Sequence, residues 1–529
     1  MERFLDHPDP KVRVEALAGL YLSHSSKAQT DFRQRIRDSL DAGEAGIRFA
    51  IEVLGKAGDP TFSEMLLEAA GGEDSGLKAW ALSGLGKMRH EDAMEIVLSA
   101  IEDPSEQVRD AALKGLSTLK EKIPMAVWIL LLGSHDPRFR KEASMAIQDR
   151  GEEVFHDLLP ALASPSRVVK NEVLSILSTL GPPRKVVSHF ITRTLKRPYR
   201  YALYVRELQK IEKGKALPLL LDHILERNNE SLEIILRVLG IMEFGDRMDT
   251  ILKAIQSGKR RDIDNAIEAL ETSLHSSIRK ILIPLMEENP SDESMANVGR
   301  TLGIVALTDT PERILTGLLK DEDPLIQALT VYAFGEGIVD QSPSHAIEEL
   351  LDSDTQIVRE AAQYTPRVLE GRAPTEHGSP RDPNLVEKAI SVRKIPIFSD
   401  LRVQEVMAIA GKSLMREFAR GEVVVREGDP GDALFLIMEG EMAVIKGMGK
   451  EQEFVLDRIG KDDFFGEMAL LDGNHRSASI RAESEALVLV LNDEDFVRIM
   501  EDYPSVPLKI CGVLVRRIRE LHGRLRIAS

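Results

Sequence analysis

The chain has 529 residues and a mass of 58.8 kDa, with 43% hydrophobic and 29% charged residues. It is therefore too long for one ordinary core and too polar for a membrane-embedded or collagen-like protein. The formal net charge of -17 argues against nucleic acid or an anionic membrane as the main partner. One cysteine, Cys511, excludes internal disulfides and cysteine-based zinc sites and is consistent with a reducing compartment.

Neither a targeting segment nor a membrane span is expected. The chain opens MERFLD, with charges where a signal peptide needs an apolar run. The longest uninterrupted apolar stretch is residues 125–132, far short of the roughly 18 to 20 residues that cross a bilayer. The sequence thus predicts an acidic, soluble, cytoplasmic and largely helical protein.

The first part of the chain repeats one phrase, an apolar residue followed by a basic one and then small and apolar residues at helical spacing. Successive copies lie 30 to 35 residues apart. The phrase occurs at Val12-Arg13, Ile47-Arg48, Leu77-Lys78, Val108-Arg109, Phe139-Arg140, Val169-Lys170 and Tyr199-Arg200, and weaker echoes follow at residues 323–326 and 357–360. A fixed period of this length predicts stacked helical repeats.

Local signals set the expected ends of these helices. Asp103-Pro104 predicts an N-cap followed by the first helical residue, and three further Asp-Pro pairs predict helix starts in the same way. The three pairs are Asp9-Pro10, Asp136-Pro137 and Asp323-Pro324. Leu-Gly pairs are expected to end helices, because glycine adopts the left-handed conformation after the last turn at little cost. They stand at Leu54-Gly55, Leu85-Gly86, Leu180-Gly181 and Leu239-Gly240.

This combination of Asp-Pro, an apolar-basic pair and alanines resembles HEAT repeats. The resemblance covers about residues 1–370, is strong to about residue 210 and weaker to residue 320, and implies about eleven or twelve units in an all-α solenoid. The aspartates and basic residues are expected to pair along the stack, a structural role. No phosphate loop, zinc-protease helix or serine-hydrolase elbow occurs, so we expect no catalytic residue, no metal and no enzyme.

A change of pattern follows residue 370. Residues 371–385 hold three prolines and two glycines without apolar rhythm, which predicts a linker. After two short helical segments, short runs rich in Val, Ile and Phe alternate with turns, which predicts a jelly-roll-like barrel. The expected strands are 422–426, 433–438, 441–445, 453–459, 477–482 and 486–492, and a final helix is expected over about 495–525 with a break near Pro504 and Pro507.

Within residues 386–529 the sequence resembles the cyclic-nucleotide-binding domain family. The runs IPIFSDL (395–401), EGDPGD (427–432) and FGEMALLDGNHRSAS (465–479) follow in the family's order and spacing. The last run is similar to the family's complete phosphate-binding cassette, although His475 stands where the family commonly has proline. The resemblance implies an α+β fold with flanking helices and a cyclic nucleotide, cAMP or cGMP, as ligand; Ser477 is compatible with either, and we favour cAMP.

The chemistry of the cassette suits a cyclic phosphate. Gly466 leaves a backbone amide open to a ligand, a short helix over residues 467–471 would direct free N–H groups at an anion, and Arg476 offers a planar fork for two phosphate oxygens. Ser477 can add a hydroxyl donor. By resemblance, Glu467 accepts the ribose 2′-hydroxyl. The expected ligand-binding set is Gly466, Glu467, Met468, Ala469, Arg476 and Ser477.

These features predict a cyclic-nucleotide-responsive regulatory scaffold whose solenoid binds a protein partner. Two alternatives stay open: an interaction protein whose barrel is structural, and the soluble regulatory part of a larger transporter-like membrane machine. A DNA-reading factor is disfavoured by the acidic charge. An apolar seam on the last helix suggests either a homodimer or a helix packed on its own barrel; it comprises Ile510, Leu514, Ile518, Leu521 and Leu525.

Overall fold

The computed structural model describes residues 2–23, 25–88, 93–164, 166–244, 246–256, 259–287, 289–304, 310–339, 343–369, 384–504, 506–512 and 515. The chain forms two compact units. The first comprises Met1–Arg193 and Glu233–Ser273, and the second comprises Thr194–Leu232 and Leu274–Ser529. The expected linker falls outside the described residues up to position 383, and Asn384 caps the helix that follows it.

The first unit is helical throughout its described part. Its N-terminal helices are α1 Pro10–Leu22, α2 Ser26–Leu40, α3 Glu44–Ala57, α4 Ser63–Gly71, α5 Ser75–Met88, α6 Ala93–Ser99, α7 Glu106–Leu119, α8 Met125–Leu131, α9 Pro137–Gln148, α10 Phe155–Ala161, α11 Arg167–Leu180 and α12 Arg184–Thr194. The chain continues through α13 Lys196–Leu208 and α14 Ala216–Leu239, and α15 Asp246–Gln256 and α16 Arg260–Ser273 complete the unit.

Most of the expected helix starts are confirmed. The side chains of Asp9, Asp136 and Asp323 each accept a hydrogen bond from the backbone N–H two residues on, and each is followed by proline in the first turn. Asp103 departs from this pattern, because α7 begins only at Glu106 with Ser105 as its N-cap. The Asp103 carboxylate accepts from the Ser105 N–H instead, so it closes a turn ahead of the helix.

Two of the four expected glycine stops lie inside helices, and a third, Gly240, begins the π-helical turn Gly240–Phe244 that follows α14. Gly181 does end α11 in the left-handed conformation, but Gly55 lies inside α3, whose left-handed C-cap is Gly58. A Cβ at Gly55 would lie 2.4 Å from the Trp80 carbonyl oxygen of α5. Gly86 likewise lies inside α5. Gly55 therefore permits close helix packing and does not terminate a helix.

The repeated acidic and basic residues pair along the stack, as expected. Lys78 lies 3.1 Å from Asp103, and Arg109 lies 3.5 Å from Asp136, so each cation reaches the aspartate of the next repeat. Arg48 and Asp74 form the same contact one repeat earlier. These pairs are partly exposed, so each contributes modestly to stability.

The second unit joins helices to a β-sheet domain. Its further helices are α17 Ser276–Leu282, α18 Asp292–Leu302, α19 Pro311–Leu318, α20 Pro324–Gly335, α21 Ser344–Glu348, α22 Gln356–Leu369, α23 Leu385–Lys394, α24 Val403–Lys412, α25 Glu467–Asp472 and α26 Asp493–Asp502. Its strands are β1 Leu414–Phe418, β2 Val423–Val425, β3 Ala433–Glu439, β4 Glu441–Lys446, β5 Phe454–Gly460, β6 Phe464–Phe465, β7 Ser479–Ala482 and β8 Ala486–Asn492.

The described strands form two antiparallel sheets of four strands each, in the orders β1-β8-β3-β6 and β2-β7-β4-β5. Inward-facing residues of both sheets, such as Phe435, Met442 and Ile480, build a core between them. The fold class is thus confirmed as helical repeats followed by a β-sheet domain with flanking helices, although the described strands do not close into one barrel. Sequence analysis missed β1 and the two-residue β6.

The other face of the first sheet packs on helices. Leu434, Leu436 and Leu489 belong to one continuous core that also contains Phe398 near α24 and Phe334 of α20. The helices of residues 311–362 and the sheet domain therefore share one apolar core within the second unit. Ile510, the first residue of the expected dimer seam, is buried in this core; the other four seam residues lie outside the described part of the chain.

Candidate functional site

The expected cassette lies where β6 turns into α25. Gly466 separates the two elements with a backbone φ of 93°, a left-handed value that favours glycine. A Cβ here would lie 2.6 Å from Nη1 of Arg476 and 2.7 Å from the Ala433 carbonyl oxygen. The absence of a side chain therefore lets the arginine pack against the backbone, as well as leaving the amide open.

Arg476 is the buried cation of this site. Only 4% of the residue is exposed. Its Nη2 donates to Asp432 Oδ1 at 3.0 Å, and its Nη1 donates to the Gly466 carbonyl oxygen at 3.2 Å. Its guanidinium carbon lies 5.4 Å from the centre of the Phe435 ring, and Phe435 stacks on Phe465. The Nε atom is buried without a hydrogen-bond partner in the described structure.

The backbone around Arg476 is held by the turn that follows β2. The Arg476 N–H donates to the Asp429 carbonyl at 2.8 Å, and the Gly428 N–H donates to the Arg476 carbonyl at 2.9 Å. Pro430 and His475 form an isolated antiparallel bridge beside them. The arginine thus sits on a segment whose direction is fixed by main-chain contacts.

The other expected site residues lie on the same cassette with different exposures. Glu467 is half-buried at the first residue of α25, Met468 is exposed, and Ser477 is exposed directly after Arg476. Ala469 lies in α25, but its side chain is outside the described structure. Among the six expected residues, Gly466 and Arg476 are in direct contact through the Gly466 carbonyl oxygen.

Sequence reasoning missed three polar residues that support the cassette. Asp432 pairs with Arg476, Lys446 donates to the Ser477 carbonyl, and Glu427 pairs with Lys446. The pKa of Glu427 is below its usual range because its carboxylate accepts the Gly447 N–H and faces Lys446. Asp432 and Glu427 both lie in the EGDPGD run, which had been used only as a turn signal and a family motif.

A second polar cluster of the same unit joins α14 to the helices that precede the sheets. Three acidic residues, one turn apart on α14, each meet a different group. Asp222 lies 2.8 Å from Arg393, the Glu226 carboxylate accepts the Val403 N–H at 3.1 Å, and Glu230 lies 3.2 Å from Arg402. At the start of α24, the first-turn N–H of Val403 therefore donates to the Glu226 carboxylate of α14. A carboxylate is a favourable partner for an amide that has no acceptor within its own helix.

A buried histidine lies behind this row. His223 is 1% exposed, with Nε2 3.1 Å from Asp323 and Nδ1 3.6 Å from Glu226. Burial lowers the pKa of His223, but the two carboxylates outweigh it and the pKa is raised overall. Burial likewise opposes ionisation of Asp323, yet His223 and Arg227 hold the pKa of that carboxyl far below its usual range.

The described residues lack a metal-binding cluster and a membrane-spanning helix. They contain no group of three or more His, Cys, Asp or Glu side chains placed to hold a metal ion. Nor, over the same residues, is there a helix long and apolar enough to cross a membrane.

Comparison with known proteins assigns the two regions separately. Residues 415–503 match the family model for the cyclic nucleotide-binding domain, and residues 63–131 match that for HEAT repeats. Both resemblances expected from the sequence are thereby confirmed.

Each of three similar proteins matches about a quarter of this chain or less. The Cyclic AMP receptor protein of Thermus thermophilus is 32% identical over 134 residues, which are 25% of this chain and 62% of that protein. A cAMP-dependent protein kinase regulatory subunit of Emericella nidulans is 36% identical over 110 residues, 21% of this chain and 26% of that protein. The crystal structure of Thermus thermophilus Catabolite Activator Protein is 32% identical over 25% of this chain and 63% of that chain, with a TM-score of 0.23. The chain thus spans less than two thirds of each of these relatives.

Proposed function

We propose that this chain, which joins HEAT repeats to a C-terminal cyclic nucleotide-binding regulatory domain, is a cyclic-nucleotide-responsive scaffold. The sheet domain binds a cyclic nucleotide at the cassette of residues 465–479, and the helical repeats bind a protein partner. The role is regulatory and non-catalytic, and the location is cytoplasmic.

The observation that carries the proposal is the state of Arg476. Its guanidinium is buried, yet Nε has no hydrogen-bond partner among the described residues, and the side chain of its carboxylate partner, Asp432, is 80% exposed. A buried cation with so little compensation is costly, and a phosphate oxygen would supply the missing acceptor. A cyclic phosphate carries one negative charge, which one arginine and the first-turn amides of α25 can balance.

The remaining site residues fit the rest of such a ligand. Glu467, half-buried at the start of α25, accepts the ribose 2′-hydroxyl in the proposed complex, and the Ser477 hydroxyl donates to the phosphate. Gly466 and Ala469 bring backbone amides to the phosphate, and Met468 offers an exposed apolar side chain. In the proposed complex, different residues therefore bind different parts of the nucleotide: Arg476 binds the charged phosphate, and Glu467 binds the ribose.

We infer cAMP as the preferred ligand. The names of the Thermus receptor and of the Emericella kinase subunit both refer to cAMP. A relative named as a cGMP-dependent protein kinase, from Drosophila melanogaster, is 33% identical over 118 residues. The serine after the arginine suits both ligands, so titration with both cAMP and cGMP tests the proposed preference for cAMP.

The shared core of the second unit connects the proposed nucleotide-binding sheet domain to the helices α20 and α22. The sheet domain packs against α23, α24 and α26, and the same apolar core continues into α20 and α22. A rearrangement of the flanking helices on ligand binding would therefore disturb the repeats that pack on them, because close-packed cores transmit displacement.

One observation favours a second candidate, a structural domain without ligand. The Arg476–Asp432 pair already gives the arginine a carboxylate partner. In that case the sheet domain would serve packing alone, and the chain would be a non-sensing interaction protein. Binding of nucleotide separates the candidates.

The test is calorimetric titration of the full chain with cAMP, cGMP and 2′-deoxy-cAMP. The proposal predicts binding of cAMP, and weaker binding of the 2′-deoxy compound. Glu467→Ala should lower cAMP affinity by about 1.5 to 3 kcal/mol, the range for a hydrogen bond to a charged group, and should remove discrimination against the 2′-deoxy compound. An absence of binding at millimolar cAMP and cGMP would establish the structural candidate instead.

Assembly is a separate proposal. The last helix is proposed to support a homodimer, although Ile510 is already packed within its own chain. Sedimentation of the full chain at micromolar concentration tests this: a dimer supports it, and a monomer with and without cAMP contradicts it.

A further inference from the structure

Three consecutive peptide units of the cassette are held from outside the loop. The unit between His475 and Arg476 donates its N–H to Asp429, and the next unit accepts the Gly428 N–H at its carbonyl. The third unit, which joins Ser477 to Ala478, accepts a hydrogen bond from Lys446 Nζ at its carbonyl, at 2.7 Å. The first two contacts use only main-chain atoms, whereas the third uses a side chain and so depends on the residue at position 446.

Lys446 is itself fixed at the end of β4. Its ammonium group lies 3.0 Å from Glu427 Oε1, and Glu427 Oε2 accepts the Gly447 N–H at 2.9 Å. The Glu427 N–H in turn donates to the hydroxyl of buried Ser479 at 2.9 Å. These contacts therefore link Lys446 and the turn after β4 to both Ser477 and Ser479.

We propose that Lys446 is a positioning residue for the cyclic-nucleotide site. By holding the carbonyl of Ser477, it fixes the backbone torsion that sets where the Ser477 hydroxyl lies, next to the buried Arg476. It also places a second, partly exposed positive charge beside the residue proposed to meet the phosphate. The proposal rests on the proposed function, since it concerns the same ligand.

The expected signature is an affinity loss that acts through Ser477. In Lys446→Met the aliphatic stem is kept while the donor and charge are lost, and cAMP affinity should fall about three- to tenfold, as for one partly exposed hydrogen bond. Lys446→Arg keeps both donor and charge and should restore most of the affinity. Lys412→Met is the matched control, because Lys412 is an exposed lysine of the same domain that pairs with Asp495, 3.6 Å away.

A double-mutant cycle separates positioning from charge alone. Ser477→Ala removes the hydroxyl that Lys446 is proposed to place, so adding Lys446→Met to it should cost little further affinity. Equal losses in the two backgrounds would show that the lysine acts only through its charge, and would overturn the proposal. The melting temperature of each variant is measured alongside, and Lys446→Leu, which also lacks a donor and a charge, replaces Lys446→Met if the latter does not fold.

The failures of the two proposals are distinguishable. No cAMP binding by the wild-type chain defeats the proposed function and this inference with it. Binding that Arg476→Ala abolishes but Lys446→Met leaves unchanged defeats this inference alone. The supporting result is a loss in Lys446→Met, recovery in Lys446→Arg, and non-additivity with Ser477→Ala.

Discussion

Arg476 and Asp432 form an ion pair, 3.0 Å from Nη2 to Oδ1, in which the arginine side chain is 3% exposed and the aspartate side chain 80% exposed. The cation is thus buried while its counter-charge lies in solvent. Such a pair is weakly stabilising, and an anion that reaches the guanidinium competes with it for the same donors. We therefore expect Asp432 to influence how tightly the proposed ligand binds.

Replacement of Asp432 by Asn should raise affinity for cAMP. In the free protein the change leaves the buried charge of Arg476 less compensated, by about 0.5 to 1 kcal/mol for an exposed partner. The bound state regains its counter-charge from the phosphate, so affinity should rise roughly two- to fivefold while the ligand-free domain melts earlier. Asp457→Asn, on exposed β5, makes the same change in net charge and should leave binding unaltered; weaker binding by Asp432→Asn would contradict the competition.

Replacement of Gly466 by Ala should damage both the fold and the site. The backbone there has a φ of 93°, which costs an L-residue about 1 to 2 kcal/mol. The added methyl would also overlap the Ala433 carbonyl, 2.7 Å away, and displace the arginine. We expect a lower melting temperature and at least about a tenfold loss of cAMP affinity, roughly 1.4 kcal/mol.

Gly473→Ala is the matched control for that change. Gly473 also has a left-handed φ, 68°, but a Cβ there would meet no atom within 4 Å. Its effect should be the backbone penalty alone. Equal losses of affinity in Gly466→Ala and Gly473→Ala would show that contact with Arg476 is irrelevant.

In the first unit, Gly55→Ala should destabilise the packing of α3 on α5. Its Cβ would lie 2.4 Å from the Trp80 carbonyl oxygen, and backbone cannot move aside as a side chain can. Overpacking of this kind costs about 1 to 3 kcal/mol, measurable by urea unfolding of the full chain. Gly71→Ala, at the end of α4 with no atom within 4 Å of the new methyl, should show no such loss.

The buried His223 predicts a pH-dependent stability of the second unit. The groups that face it are the carboxylates of Asp323 and Glu226, with Arg227 bound to the same Asp323 oxygen. Because the folded pKa is raised above its ordinary value of about 6.5, the contribution is complete below that pH. It is lost as pH rises through the folded pKa.

Thermal unfolding of wild type and His223→Gln at intervals between about pH 6 and pH 9 tests this. The stability difference between the two proteins should be largest at the acid end and shrink as pH rises. A difference that is constant across the range, or that grows with pH, would show that the ring is not protonated in the folded state.

Much of the fold followed from local pattern. Three of the four Asp-Pro pairs placed helix starts, because a proline and an oxygen-bearing cap satisfy the first turn locally. Alternating apolar runs placed six strands. β1 and β6 were missed for physical reasons: β1 is a largely exposed edge strand, and β6 has two residues, too few for a period. The predictions for Gly55 and Gly86 were wrong because glycine is favoured both at helix C-termini and where two helices pack closely.

The sequence predicted the cassette residues of the site, but not the partners that contact them from elsewhere in the chain. Gly466 and Arg476 lie on one short motif, and the structure brings them into contact. Asp432 is 44 residues from Arg476, and Lys446 is 31 residues from Ser477. The first contact joins the residue before β3, in one sheet, to the loop before β7, in the other, and the second follows from the pairing of β4 with β7. Residue spacing alone reveals neither arrangement. The roles of Glu467 and Ser477 toward the ligand stay predictions.

The central claim is that Arg476 binds the phosphate of a cyclic nucleotide, and calorimetric titration of Arg476→Ala with cAMP tests it most directly. Loss of one side of a buried charged pair costs about 2 to 5 kcal/mol, so affinity should fall roughly 30- to several-thousand-fold. Arg458→Ala, which removes an exposed arginine paired with Glu483 in the same domain, should bind as wild type does. Equal cAMP affinity in wild type and a folded Arg476→Ala variant would contradict the account.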